Sequence, residues 1–194
     1  LRGAYHTASE NALRDATEDI ALLRKEMDLE EYRLEKIFES IAEENEVRPE
    51  LPILGSNSHT VPAFAFWGID SIEVTHRDVE GKIKIVDYFF THCPTICPLL
   101  SSQLSRTQEI LNDRGITQED LMILSHSVDP LRDTPQRMAE YAEMVGADTS
   151  QWKFLTGNKE DLYEQAKQGY YLTAMPSDTA AGGFFHSDLF ALID

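Results

Sequence analysis

Between residues 10 and 46 apolar side chains return every seventh position, at Leu13, Ile20, Met27, Leu34 and Ile41. Ala16, Leu23 and Ile37 repeat three positions later, and Glu30 interrupts that second row. With no Gly or Pro inside, the pattern predicts one long charged helix with a heptad stripe over about four repeats. Continuous, it would span roughly 50 Å. The stripe suits a coiled-coil seam, a face packed on the rest of the chain, or a stalk. Arg48-Pro-Glu-Leu-Pro52 ends it, because proline disfavours helical geometry in the residue before it. The pattern then changes period. Val61–Trp67 and Ile72–Thr75 read as short strands around a Gly68–Ser71 turn. Ile83–Phe90 is an apolar run for a buried strand, followed by a helix over 98–113 that stops at Arg114-Gly115. Leu121–Val128 is a second apolar run, suited to a buried parallel strand. Thr134 caps a helix with Pro135 at its first position, running to about Val145. Trp152–Leu155 is a strand, Lys159 to about Gln168 a helix closed by Gly169, Tyr170–Thr173 a further strand, and Phe184 or His186 to Ile193 the last. The alternation from residue 83 onward predicts an α/β layered sheet with right-handed crossovers. The expected organisation is a helical extension over 1–50, a linker over 51–60 and a domain over 61–194.

Composition narrows the class without naming a function. The chain has 194 residues, 42% of them hydrophobic, and a formal charge of −17 from 17 Lys/Arg and 34 Asp/Glu. Residues 1–50 hold seven basic and fourteen acidic side chains, a net of −7. The basic footprint of a nucleic-acid-binding protein is absent, and an anionic membrane surface would repel the chain. Acidity suits a protein that handles cations, although acidic surfaces commonly serve solubility alone. No apolar run of about 18 residues is present for a membrane-spanning helix. Leu1 is not an initiator methionine, which leaves room for an upstream targeting segment or tether.

The chemistry concentrates at Thr91-His-Cys-Pro-Thr-Ile-Cys-Pro98. It holds both cysteines of the chain, Cys93 and Cys97, with three residues between them. A strand enters the segment and a helix leaves it. Backbone N–H groups and the positive end of a helix lower a thiol's pKa there. Thiolate is both nucleophile and soft metal ligand. On a helix, positions i and i+4 face the same way, so the two sulfurs can meet. A pair of inert core cysteines is the competing reading; prolines 94 and 98 and the strand-to-helix turn argue against it. A dedicated redox motif has two residues between its cysteines, so the spacing leaves metal binding and disulfide chemistry both open. Six histidines compete for a third ligand. His186 opens the last strand after Gly182-Gly183. His126 lies near the end of strand 121–128 and is a candidate for a supporting position around the thiols. His92 adjoins Cys93, too close for both to ligate one ion easily. His6, His59 and His76 read as solvated. Ligands gather at the carboxyl ends of strands in open α/β sheets, which brings Asp129, Arg132 and Asp133 near the thiols; a local turn capping the next helix is the compatible structural reading.

The thiol segment, the Ser127-Val-Asp-Pro-Leu-Arg-Asp-Thr-Pro135 loop, Trp152–Gly157 and Phe184–Asp194 together resemble the Sco/SenC family of copper-binding assembly factors. The likeness runs from about Val61 to Asp194. It implies a thioredoxin-like fold on the outer, periplasmic side of a membrane, tethered through a segment outside this chain. It implies copper, as Cu(I) or Cu(II), held by Cys93, Cys97 and His186, and a role in maturing the binuclear CuA site of cytochrome c oxidase. A thiol-disulfide reductase role of Cys93 and Cys97 toward that site's own cysteines is the alternative the family offers. A copper or redox sensor relaying its state through helix 10–46 is a third. Asp129 and Asp133 map to supporting positions. Two thiolates and an imidazole make a soft three-coordinate site that suits Cu(I), whereas Zn(II) usually takes a fourth ligand. Helix 10–46 is not part of the family's core pattern. The family's domain continues past the final Leu-Ile-Asp with another strand and a helix, so Asp194 is expected to fall inside the domain.

Overall fold

The computed structural model describes residues 52–56 and 58–194. The expected helix over 10–46 lies outside them.

The fold is built on two neighbouring strands, β3 (Ile83–Phe89) and β4 (Leu121–Ser127), preceded by a small hairpin of β1 (Ala65–Trp67) and β2 (Glu73–Thr75). β3 and β4 run parallel in register, from Ile83 opposite Leu121 to Phe89 opposite Ser127. Every residue of β4 is buried, as a central strand covered on both faces requires. β5 (Trp152–Leu155) adds in parallel on one side and β8 (Ala191–Ile193) antiparallel on the other, giving the order β5-β4-β3-β8. Side chains alternate between the faces of a strand, so Asp87, Phe89 and Ser125 face one way and Tyr88 and His126 the other. Helices α1 (Ile96–Asp113) and α2 (Pro135–Met144) cover the first face. There Phe89 packs on Tyr141 and Phe154, and Ser101 bonds the Tyr141 hydroxyl. Helix α3 (Lys159–Glu164) and the hairpin cover the second face. The Tyr88 hydroxyl donates to the Leu162 carbonyl, and Phe64 and Phe66 stand edge-on to the His126 ring. Reciprocal backbone bonds between Trp67 and Thr156, at 2.7 and 2.9 Å, fasten the hairpin to the end of β5.

Three elements depart from the sequence reading. Helix α1 begins at Ile96, so Cys97 and Pro98 both lie in its first turn. The first four N–H groups of a helix have no intrahelical partner, so a proline there costs nothing. Tyr170–Thr173 is not a strand: Tyr171 sits at φ 54°, in the left-handed region that breaks an extended run. Strand β6 (Ala174–Pro176) follows instead, after a π turn over Gln165–Gly169. The last strand is two. β7 (Phe184–His186) pairs with β6, and only β8 joins the main sheet.

Leu104 of α1 is 1% exposed in the core. Leu104→Ala should cost about 2–5 kcal/mol, measured as a lower urea midpoint at unchanged slope; a loss well under 1 kcal/mol would mean that α1 does not seal this face.

Candidate metal centre

Strand β3 delivers the chain to the thiol segment and α1 carries it away. The segment is stapled from below by one carboxylate. Asp133 is fully buried. It accepts from the Thr91 N–H at 3.2 Å, the Thr91 hydroxyl at 2.7 Å and the Ser127 hydroxyl at 2.5 Å. The loops leaving β3 and β4 are thereby tied together. The Cys93 N–H bonds the Phe90 carbonyl at 3.1 Å, which turns the chain so that Cys93 approaches Cys97.

His186 arrives from the β6–β7 hairpin. Gly182 and Gly183, at φ 82° and 87°, make the bend before it. A Cβ on Gly182 would meet the Phe90 ring at 2.5 Å, so this position requires glycine for space as well as for conformation. The His186 ring stands edge-on to Phe90. Its Nδ1 lies 3.0 Å from the Ser187 carbonyl. A carbonyl only accepts, so the hydrogen is on Nδ1 and the Nε2 lone pair is free. That lone pair faces the thiols, with Cys97 Sγ at 3.2 Å. Cys93 Sγ, Cys97 Sγ and a His186 ring nitrogen all lie within 4.8 Å of one another, and all three residues are buried.

The two thiols are unequal. Burial pushes the Cys97 thiol well above its ordinary range, and the neighbouring Cys93 reinforces this. For Cys93 burial also opposes ionisation, but hydrogen bonds from Cys97 and Thr95 outweigh it and hold the thiol below its usual value. Burial draws the His186 imidazole down, partly offset by the Ser187 carbonyl and the Asp188 charge. A neutral imidazole and one readily ionised thiol are the forms that ligate a cation. The donor set is two soft sulfurs and one borderline nitrogen, and it fits a soft monovalent ion better than a hard one.

The remaining candidates fall around this centre rather than in it. Asp129 is 5% exposed. Its carbonyl accepts from the Arg132 and Asp133 N–H groups, so the loop is a tight turn. Its Oδ2 stands 3.7 Å from Arg132 Nε and from His92 Nε2. His92 accepts from Arg132 Nη1 at 2.8 Å, on the Asp129 side. His59 is half-buried rather than solvated: it bridges the Gly169 carbonyl and the Tyr171 hydroxyl at 3.0 and 3.1 Å. His126 is a correction. Its position along β4 suggests the thiols, but the alternation of side chains puts it on the opposite face from Asp87 and Ser125. It is fully buried among Phe64, Phe66, Tyr88 and Tyr170, and neither ring nitrogen makes a hydrogen bond. Burial drives its pKa down to about 3. Sequence reading missed Thr91, Ser127 and Ser187, which orient the site; nothing in their spacing announces partners as far apart as Thr91 and Asp133.

The family model described as SCO1/SenC matches residues 54–194. The SCO1 protein homolog of Bacillus subtilis is 31% identical over 108 residues, which is 56% of this chain and 54% of that protein. The chain spans about half the length of the curated relatives it matches first. Among solved structures, a SCO1/SenC family lipoprotein from Bacillus anthracis aligns with a TM-score of 0.65 at 26% identity, over 74% of this chain and 83% of that one. Arabidopsis thaliana ScoI with copper bound aligns with a TM-score of 0.56 at 28% identity, over 69% and 80% of the two chains. The thioredoxin-like α/β expectation therefore holds for the described residues. No helix among them is long and apolar enough to cross a membrane.

Two outcomes follow from these environments. Asp133→Ala leaves the Thr91 and Ser127 hydroxyls without their acceptor and should cost about 2–4 kcal/mol; circular dichroism melts check this, and an unchanged melting temperature would remove the staple. His126 stays neutral when folded to about pH 3 but protonates near 6.5 when unfolded. Its depressed pKa makes the wild type lose stability as pH falls through that window, by at most about 1.4 kcal/mol per pH unit. His126→Phe should gain on the wild type by that slope as pH is lowered from 6.5; a constant difference from pH 7 to pH 4 would contradict the buried neutral ring.

Proposed function

The chain belongs to the SCO1/SenC family, and from that premise we propose that it binds copper through Cys93, Cys97 and His186 and hands it on during assembly of the binuclear CuA site of cytochrome c oxidase. The observation that carries this reading is the convergence of two sulfurs and one imidazole nitrogen within 4.8 Å on three buried residues. Copper is the cargo. Arabidopsis thaliana ScoI binds it, by the name of its structure, and the donor set here has the softness and number that Cu(I) favours.

Each residue has a part in loading and release. Cys93, the more easily ionised thiol, is the first sulfur to offer a lone pair. Cys97 closes the chelate from the first turn of α1. His186 presents Nε2 because the Ser187 carbonyl holds its other nitrogen protonated, a supporting contact of the kind that raises ligand basicity. Asp133 keeps the thiol segment in place throughout. Three ligands leave room for an incoming donor from the acceptor protein, so transfer can proceed through shared ligation. Affinity rises with pH, because thiol protons must leave before the cation enters. The partner on this reading is the copper-site subunit of the oxidase, and the protein works on the outer side of a membrane. That the Bacillus anthracis relative is a lipoprotein supports this placement.

The unequal thiols favour a second reading, reduction of a partner's disulfide. There Cys93 would attack as thiolate and Cys97 would resolve the mixed disulfide, the partner's cysteines being reduced as this pair is oxidised.

Anaerobic competition for Cu(I) by reduced protein separates the two. Copper handling predicts one tight equivalent, weakened tenfold or more in His186→Ala, about 1.4 kcal/mol or above. Equal affinities would remove His186 as a ligand and shift the function to dithiol chemistry, which should keep its disulfide-reduction rate in the same variant.

A further inference from the structure

One imidazole of the fold has no place for a charge. His126 is fully buried on β4, and neither ring nitrogen makes a hydrogen bond. Tyr88 of β3 stacks on the ring at 5.1 Å between centroids, and Tyr170 lies tilted at 5.4 Å. Phe64, just before β1, and Phe66 within it close the box edge-on, at 6.1 and 5.4 Å. Among the described residues no opposite charge faces the ring from these elements. Burial keeps the Tyr88 and Tyr170 hydroxyls protonated, raising the second to about 12. Helix α3 turns Leu162 inward and exposes Glu160, Asp161 and Glu164. Lys84 of β3 and Lys153 of β5 stand further along the same face, the latter donating to the Thr149 carbonyl. His76 lies beyond Phe64, edge-on to it. A charged imidazole here would give up its hydrogen bonds to water for weak attraction to rings.

The wall made by Phe64 and Phe66 is lightly held. Strands β1 and β2 have three residues each and pair with one another. A hairpin of that size is marginal alone. Among the described residues two backbone bonds between Trp67 and Thr156, at 2.7 and 2.9 Å, tie it to the sheet. Gln165 Nε2 holds the Pro62 carbonyl at its root, at 3.3 Å. The remaining hold is apolar. Phe66 fits against Gly157, where a Cβ would stand 2.9 Å from its ring, and both phenylalanines lie on His126. We propose that the β1–β2 hairpin is an acid-released flap, which closes over a neutral His126 and swings off the ring when the imidazole takes a proton. A ring freed by opening ionises near 6.5, whereas in the closed form burial alone sets its pKa, at about 3. The open form holds the extra proton between those values, so opening becomes easier as pH falls. Asp87, raised to about 7, has the opposing dependence. It offsets the slope only when the whole sheet comes apart, because it stays buried on the other face while the hairpin moves. The flap is thus more sensitive to acid than the fold that carries it. Its opening bares Phe64, Phe66 and the end of β5. Cys93, Cys97 and His186 lie on other elements, so the flap works with or without cargo.

Native-state amide exchange reads the flap directly. The Trp67 and Thr156 amides make the bonds that cross its join, and the Ile123 amide bonds the Gln151 carbonyl in the middle of the sheet. After correction for intrinsic exchange, the opening constants at Trp67 and Thr156 should rise about twentyfold between pH 6 and pH 4.5. That at Ile123 should lag well behind, because it opens with the whole sheet. Equal rises at all three amides, or no rise at the join, overturn the proposal. His126→Phe keeps a ring in the box that takes no proton. In that variant the join amides should stay level over the same range, and the full rise there overturns the proposal. His76 is present in both proteins, so its contribution cancels. If His126→Phe does not fold, His126→Leu takes its place, and the comparison among amides of the wild type decides by itself.

Discussion

The site depends on a buried carboxylate that binds no cargo. Asp133 sits at the crossing of two loops that leave parallel neighbours β3 and β4, and it accepts from both. Parallel strands end on the same side of a sheet, which is why ligand sites collect there. Yet nothing in a β-ladder fixes the loops beyond it. Here the Asp133 side chain supplies the missing constraint. A buried carboxyl of this kind is tolerated only if hydrogen bonds replace its water, and its partners are Thr91, two residues before Cys93, and Ser127, the last residue of β4. The requirement to satisfy one carboxylate thus positions the thiol segment.

On that footing the centre differentiates its three donors by environment. Cys97, in the first turn of α1 and 1% exposed, lies where ionisation is expensive. Cys93, four residues earlier, gathers hydrogen bonds from Thr95 and Cys97 that lower the cost. His186 enters with its tautomer set by a backbone carbonyl. A site of this kind is neither fully preionised nor inert. On the proposed copper reading such a site would exchange protons for a soft cation, and the exchange could run backwards.

Much of this was legible in the sequence, and the parts that were not have a common cause. Apolar runs revealed β3 and β4 because both strands are covered on two faces. Thr134-Pro135 revealed the start of α2 because cap and first-turn chemistry is local. Cys93 and Cys97 stood out as the two cysteines of the chain at an element boundary, whereas His186 was picked out from six histidines only by the family resemblance. What failed depended on three-dimensional neighbours. His126 lies at the right height along β4, but side-chain alternation puts it among rings on the far face. Tyr171 adopts a left-handed conformation in a loop where its hydroxyl meets His59, a contact with no trace in local propensity. The final strand divides because Phe184–His186 finds a partner in β6 and only Ala191–Ile193 reaches β3.

Asp87 and His126, buried on the two central strands, stand on opposite faces, and their effects on stability oppose each other. Asp87 ionises near 7 when folded and near 3.8 when unfolded. Its raised pKa means that the folded state holds the extra proton, so stability falls as pH rises between those values. His126 protonates near 3 when folded and near 6.5 when unfolded. Its lowered pKa means that the unfolded state holds the extra proton, so stability falls as pH drops through that range. Between about 3.8 and 6.5 the slopes are equal and opposite, and the pair contributes a flat profile. Above that range only the Asp87 cost still grows, until about pH 7; below it only the His126 cost grows. The fold can thus bury a carboxylate on one face of its central strands without a net pH dependence from the pair across mildly acidic conditions, because an imidazole on the far face of the same strands supplies the compensating slope.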